Sequence, residues 1–432
     1  MSLSPVPAHH LTPYDRFCWS DAEVERMLAS GEQRRALAAY FGEGEYRALA
    51  RLARRAQRAG IKSRLPHVLV IPGMLGSQLG LRRRPPLPDD VLWMDPLDIQ
   101  NGRLPLLDPA ARAPVVPLGV VLFSYLRLTL YLRARGFAVT LYPYDWRLGI
   151  ETAAAALAHI LHTRHTGRVA IVAHSMGGLV TRAALALPAA GHVERAVLLG
   201  TPNLGALTPL QALRGSYSMV RNMARLDLHR SAEELSAQVF SGFVSLYQML
   251  PGPECGVDLM DKTQWPSFGP LPRAELLAHA RGFLAGLPAP DARFAAIAGV
   301  GIKTATALSR RRDEFVYTVT RGGDGTVPAA SAALNGASSY YAPVAHNDLT
   351  RDARIASALV DLLSEGSTRR LPTRWHSRSR AQARIGDRQL YRLRADKLNW
   401  PHMTPAQRQA FLQNLSEPPP LRLRVPLPSK KN

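Results

Sequence analysis

The residues best suited to chemistry are Ala173-His174-Ser175-Met176-Gly177. A buried apolar run over residues 169–173 leads into this turn, and a helical pattern follows at once. Small residues at 173 and 177 permit a tight strand-turn-helix that lifts the Ser175 hydroxyl clear of a sheet. The alternative is a serine capping an ordinary helix. A serine hydroxyl needs a base to take its proton, and the base needs a carboxylate to orient it.

In a nucleophile turn of this kind the acid and the base follow downstream, in that order. Asp324 lies in Arg321-Gly322-Gly323-Asp324-Gly325-Thr326, after a β-like run over residues 315–320. Glycines on both sides let the backbone turn sharply around it. An exposed Asp-Gly turn is the rival explanation. His346 follows the short run Tyr340-Tyr341-Ala342-Pro343-Val344-Ala345. Later histidines, His376 and His402, fall in a basic tail. A surface-loop histidine is the plainer alternative, and Asp348 is a weaker acid candidate because it is so close in sequence. The developing oxyanion needs backbone donors. The N–H of Met176 is one candidate. The other is the N–H of Met74 or Leu75, in Pro72-Gly73-Met74-Leu75-Gly76, with Met74 preferred.

These residues require a scaffold. Strand-like runs at 67–71, 137–142, 169–173, 196–200, 294–298 and 315–320 are mostly continuous apolar stretches, as in a parallel sheet covered on both faces. Helical stretches such as 152–162 and 178–187 alternate with them, so an α/β fold is expected. Over ninety residues separate the runs at 196–200 and 294–298. That is too long for a simple crossover and predicts a cap insertion at about 205–290. The expected division is a helical N-terminal extension over 1–66, a main domain over 67–365 and a basic extension over 366–432.

Composition limits the function classes. The chain has 432 residues, 46% apolar and 20% charged, which excludes global disorder. Two cysteines, Cys18 and Cys255, build no disulfide framework, and no metal-ligand cluster or cofactor motif is evident. Net charge is +21, and residues 367–432 hold 15 Lys+Arg against 3 Asp+Glu. This tail, with its Pro-rich SEPPP and VPLP, reads as an appendage outside the core. The charge favours an anionic partner such as a membrane surface. Ser20 and Glu23 form a capping box for one N-terminal helix, which Gly31 can close. In a second helix, Arg47, Arg51, Arg54 and Arg58 share one face. That face is either membrane-bound or simply solvated. The N-terminus lacks a signal-peptide pattern and no apolar stretch of about 18 residues occurs. The expected location is cytoplasmic or at a membrane surface.

Several motifs then fall in register: Pro72-Gly73-x-Leu75-Gly76-Ser77, Tyr144-Asp145-Trp146-Arg147, Ala173-His174-Ser175-Met176-Gly177-Gly178, Gly200-Thr201-Pro202-Asn203-x-Gly205 and Gly323-Asp324-Gly325-Thr326-Val327. A further stretch, residues 243–251, fits between them. Together they resemble the lecithin:cholesterol acyltransferase family over roughly residues 67–350. The resemblance implies an α/β-hydrolase fold with cap and lid, acting on acyl esters of glycerolipids without a cofactor. It implies Ser175 as nucleophile, Asp324 as acid, His346 as base, and Met74 and Met176 as oxyanion donors. It sets Trp146 near the acyl site and Leu75 as a further substrate contact. Asp145 and Arg147 read better as a structural ion pair. Secreted members staple a lid loop with a disulfide. Residues 77–150 hold no cysteine, so such a lid is unstapled or absent here. The near rival is a neutral-ester lipase with the same residues. The distant rival is an inactive scaffold binding a polyanion, although the tail has no nucleic-acid motif and few aromatics.

Overall fold

The computed structural model describes residues 19–84, 87–164, 167–190, 192–377, 379–392 and 396–416. Twelve strands form among them. In chain order they are β1 (His67–Ile71), β2 (Ser77–Leu81), β3 (Asp90–Trp93), β4 (Val115–Val120), β5 (Val139–Leu141) and β6 (Val169–His174), followed by β7 (Val193–Leu199), β8 (Phe294–Gly299), β9 (Ile302–Arg311), β10 (Glu314–Gly323), β11 (Ser338–Ala342) and β12 (Ala383–Gly386). Six of them make the central sheet, in the order β11-β8-β7-β6-β1-β5, and every pairing is parallel. Residues of β6 are buried throughout, because helices cover both faces. This is the expected α/β architecture, with the sheet carrying one core on each side.

The run at 315–320 is a strand but not a member of the central sheet. It belongs to β10, which pairs antiparallel with β9 and β12. Its residues alternate between buried and partly exposed positions, as a half-covered antiparallel strand requires. The hairpin leaves the main sheet after β8 and returns to the same place. A Cβ on Gly299, at the end of β8, would lie 2.5 Å from the Cβ of Asp324. The sixth central strand is β11 instead.

The N-terminal helices Asp21–Ser30, Arg34–Phe41 and Glu43–Ala59 pack on the helix Leu122–Arg133. Leu49 and Ala53 meet Leu126 and Leu130 there, and Arg133 pairs with Asp21 at 2.7 Å. The capping box of Ser20 and Glu23 is present, and Gly31 closes the helix at φ 86°. The apolar face of Glu43–Ala59 is used inward, while Arg47, Arg51, Arg54 and Arg58 are exposed.

Residues 77–120 hold no disulfide. They fold as the antiparallel sheet β3-β2-β4, tied by ion pairs. Arg103 bonds Asp98 at 2.5 Å and Asp90 at 2.9 Å. Arg147 clasps Asp145 at 2.6 Å and donates to the carbonyls of Leu107 and Val115, a structural role.

The basic C-terminal stretch is tied into the fold rather than appended to it. β12 extends the β9–β10 sheet, and Asp387 bonds buried Arg214, at the end of the helix Leu207–Leu213, at 3.0 Å. Trp400 is fully buried, and its N–H donates to Gln100 at 2.8 Å. Apolar anchors spaced widely among the arginines account for this. The Pro-rich residues 417–432 lie outside the described residues. No helix among the described residues is long and apolar enough to cross a membrane.

Candidate active site

Four loops at the carboxyl ends of parallel strands converge, as ligand sites in such sheets do. Ser175 follows β6. Its backbone takes φ 54° and ψ −128°, a conformation that disfavours any side chain. The adjoining turn fits only because it lacks side chains. A Cβ on Gly177 would lie 2.5 Å from the Pro72 carbonyl oxygen. The helix Met176–Leu185 starts immediately, and the Gly178 N–H closes its first turn on the Ser175 carbonyl at 2.9 Å.

His346 follows β11, and Asp324 follows the hairpin. The His346 Nδ1 lies 2.7 Å from Asp324 Oδ2, and both side chains are buried. The other oxygen, Oδ1, accepts from the N–H groups of Thr326 at 2.9 Å and Val327 at 2.7 Å. The backbone N–H of His346 donates to the Asp324 carbonyl at 2.9 Å. The carboxylate is therefore fixed on every side, and it turns one oxygen to the imidazole. Asp348 is largely exposed and bonds Arg351 weakly, at 3.9 Å.

Ser175, His346 and Asp324 line one cavity of about 300 Å³. Met74 and Leu75 line it too. Leu75 holds φ 64°, which bends the loop after β1 toward Ser175. Its carbonyl accepts from Trp93 Nε1 at 2.9 Å. Met176 is buried at the first turn of its helix, with no side chain in the cavity. Trp146 differs from expectation. It is fully buried, its Nε1 donates to the Ser77 carbonyl at 3.0 Å, and it stacks edge-on behind Trp93 at 5.6 Å. Trp93, not Trp146, reaches the cavity.

Two residues escaped the sequence reading. Tyr125 accepts from the Gly73 N–H at 2.8 Å and sits 3.0 Å from His174 Nδ1. His174 Nε2 is 3.1 Å from the His346 carbonyl. A carbonyl only accepts, so Nε2 carries the proton and Nδ1 accepts from the tyrosine hydroxyl. Burial, with His346 alongside, pushes the His174 pKa down to about 3. His174 is neutral at ordinary pH. The histidine beside the serine was a signal already in the motif. Tyr125 left no local signal at all.

Among the described residues no cluster of metal-ligating side chains occurs. Chemically, the arrangement offers a serine hydroxyl on a strained backbone, an oriented imidazole and a fixed carboxylate around one largely apolar cavity.

Residues 132–269 match the lecithin:cholesterol acyltransferase family model, so the resemblance read from the motifs holds over that stretch. No curated protein matches the chain. Among solved structures, a chain of the Tle4–Tli4 complex is similar at 14% identity, with a TM-score of 0.45, over 70% of this chain and 99% of that one. The mature Bacillus licheniformis lipase BlEst2 is similar at 14% identity, with a TM-score of 0.38, over 70% of this chain and 94% of that one.

Proposed function

We propose that the chain is a serine-dependent acyl-ester hydrolase or O-acyltransferase that acts on glycerolipids. The observation that carries this is the meeting, in one apolar cavity, of Ser175 on its strained turn with the His346–Asp324 pair. The family match over 132–269, which includes the serine turn, supports a lipid ester as substrate.

In this reading His346 takes the Ser175 proton as the hydroxyl oxygen attacks an ester carbonyl. Asp324 holds the imidazole with Nδ1 protonated and stabilises the cation that forms. The N–H groups of Met74 and Met176 receive the oxyanion. The tetrahedral intermediate collapses, His346 protonates the departing alcohol, and an acyl ester remains on Ser175. Water then releases the fatty acid, or a lipid alcohol takes the acyl group. The +21 net charge supports peripheral contact with an anionic membrane, where such substrates lie.

The test uses mixed anionic and zwitterionic phospholipid vesicles with a long-chain alcohol, read by mass spectrometry. Lysolipid with free acid or a new ester is expected, and none is expected from Ser175→Ala. Undiminished turnover in Ser175→Ala would sink the assignment. The acid-to-ester ratio separates hydrolysis from transfer.

A further inference from the structure

Part of the cavity wall comes from far along the chain. The helix Pro405–Gln413 bridges the N-terminal helices and the cap. On one side Gln409 Nε2 donates to the Phe41 carbonyl at 2.7 Å. On the other, Arg225 of the cap helix Ser218–Leu226 lies over the Phe411 ring, and Asn222 Nδ2 donates to the Leu415 carbonyl at 2.9 Å. Upstream, Lys397 Nζ caps three carbonyls around the end of that cap helix, those of Ala224, Asp227 and Arg230. Downstream, Ser416 lines the cavity with Tyr217 and with Thr326 of the Asp324 loop. The strap is thus pinned along its length, and Leu412 and Leu415 line the cavity that holds Ser175.

Polar and apolar residues both line the cavity. Asn347, Asp348 and Arg351 line it beside His346. The leaving alcohol must receive its proton from His346, so the polar residues beside His346 suit the alcohol. The strap leucines, with Met219, Phe240 and Leu246, are among the apolar residues that line it. Apolar walls of this kind accept hydrocarbon, and protein interiors do not otherwise leave such room.

We propose that Leu412 and Leu415 form one wall of an acyl-chain subsite, so that this C-terminal strap sets the length of chain the protein accepts. The inference rests on the ester-cleaving role proposed for Ser175 and deepens it.

Two ester series distinguish an acyl chain from an alcohol chain: p-nitrophenyl alkanoates, in which the acyl length varies, and alkyl butyrates, in which the alcohol length varies. In Leu412→Trp and Leu415→Trp the kcat/KM ratio of p-nitrophenyl dodecanoate to butyrate is expected to fall at least tenfold. The ratio of dodecyl to butyl butyrate is expected to stay within twofold. Should tryptophan prevent folding, Leu412→Ala and Leu415→Ala enlarge the site and are expected to shift preference toward hexadecanoate. An unchanged acyl ratio in folded variants of both kinds overturns the proposal, as does a shift confined to the alkyl series. Failure of the unaltered protein to cleave either series sinks the ester reading itself, and this one with it.

Discussion

His174 donates from Nε2 to the backbone carbonyl of His346 at 3.1 Å, although its own neighbour in sequence is Ser175. The residue beside the proposed nucleophile therefore positions the proposed base. Tyr125 fixes its tautomer and, through the Gly73 N–H, anchors the loop after β1 as well. His174→Leu removes the donor and is expected to lower kcat about 10–100-fold, the cost of displacing a reacting group by around 1 Å. The KM for a small ester should change little. His174→Gln keeps a donor and should recover most of the loss. Equal defects in both variants would argue that the residue only fills space.

The same histidine makes stability depend on pH in a defined direction. Its folded pKa is about 3, lowered by burial and then by His346, whereas the unfolded chain binds that proton near pH 6.5. Between these values the unfolded state holds more protons. Its contribution to stability is complete above pH 6.5 and is lost steadily as pH falls toward 3, by up to about 1.4 kcal/mol per pH unit. Urea melts at pH 4 to 7 should show a flatter slope in His174→Gln. Parallel slopes would contradict this account.

Asp324→Asn keeps the size of the side chain but presents an amide to His346. The wrong imidazole tautomer is then favoured, and kcat is expected to fall by about 10⁴. The measurement is ester hydrolysis near pH 8, with a melting curve to show that the fold persists.

Gly177→Ala places a methyl 2.5 Å from the Pro72 carbonyl oxygen, which is backbone and cannot rotate away. The turn must spread, at a cost of roughly 1–3 kcal/mol. Activity should fall with stability, because the same turn aims Ser175. A fully active, equally stable variant would show that the turn is looser than described.

Arg214 and Asp387 are both fully buried, and the pair joins the helix Leu207–Leu213 to the C-terminal stretch. Arg214 also donates to the carbonyls of Pro266 and Pro270, and Tyr317 donates to Asp387 at 2.9 Å. Burial pushes the Asp387 carboxyl above its usual range, but Arg214, Tyr317 and Ser216 oppose that shift. Asp387→Ala leaves the guanidinium without its counterion and should cost about 3–5 kcal/mol. Denaturant melts measure this directly.

Legibility followed local chemistry. β1 was read residue for residue, because a continuous apolar run ends at Pro72-Gly73. Ser175 and Asp324 stand out because small residues bracket their turns, Ala173 and Gly177 around the serine, Gly323 and Gly325 around the acid. β9, with its alternating Lys-Thr-Ala-Thr-Ala pattern, is not among the strand-like apolar runs, since a half-buried antiparallel strand shows few apolar residues. β11 was half seen, because its serines dilute the apolar signal. Tyr125 and Trp93 reach the site only through tertiary packing, so nothing near them announces it. The C-terminal stretch misled for a different reason. Its arginines dominate the composition, while Ile385, Leu390, Trp400 and Phe411, which do the anchoring, are far apart.

The strap also has a consequence for biosynthesis. About 240 residues separate Ser175 from Leu412. At ~5–20 residues per second a ribosome needs roughly 12–50 s to cover that interval. During that time the nascent chain carries its serine turn without the wall that Leu412 and Leu415 supply. The cavity is complete only when helices made first and a helix made last have met.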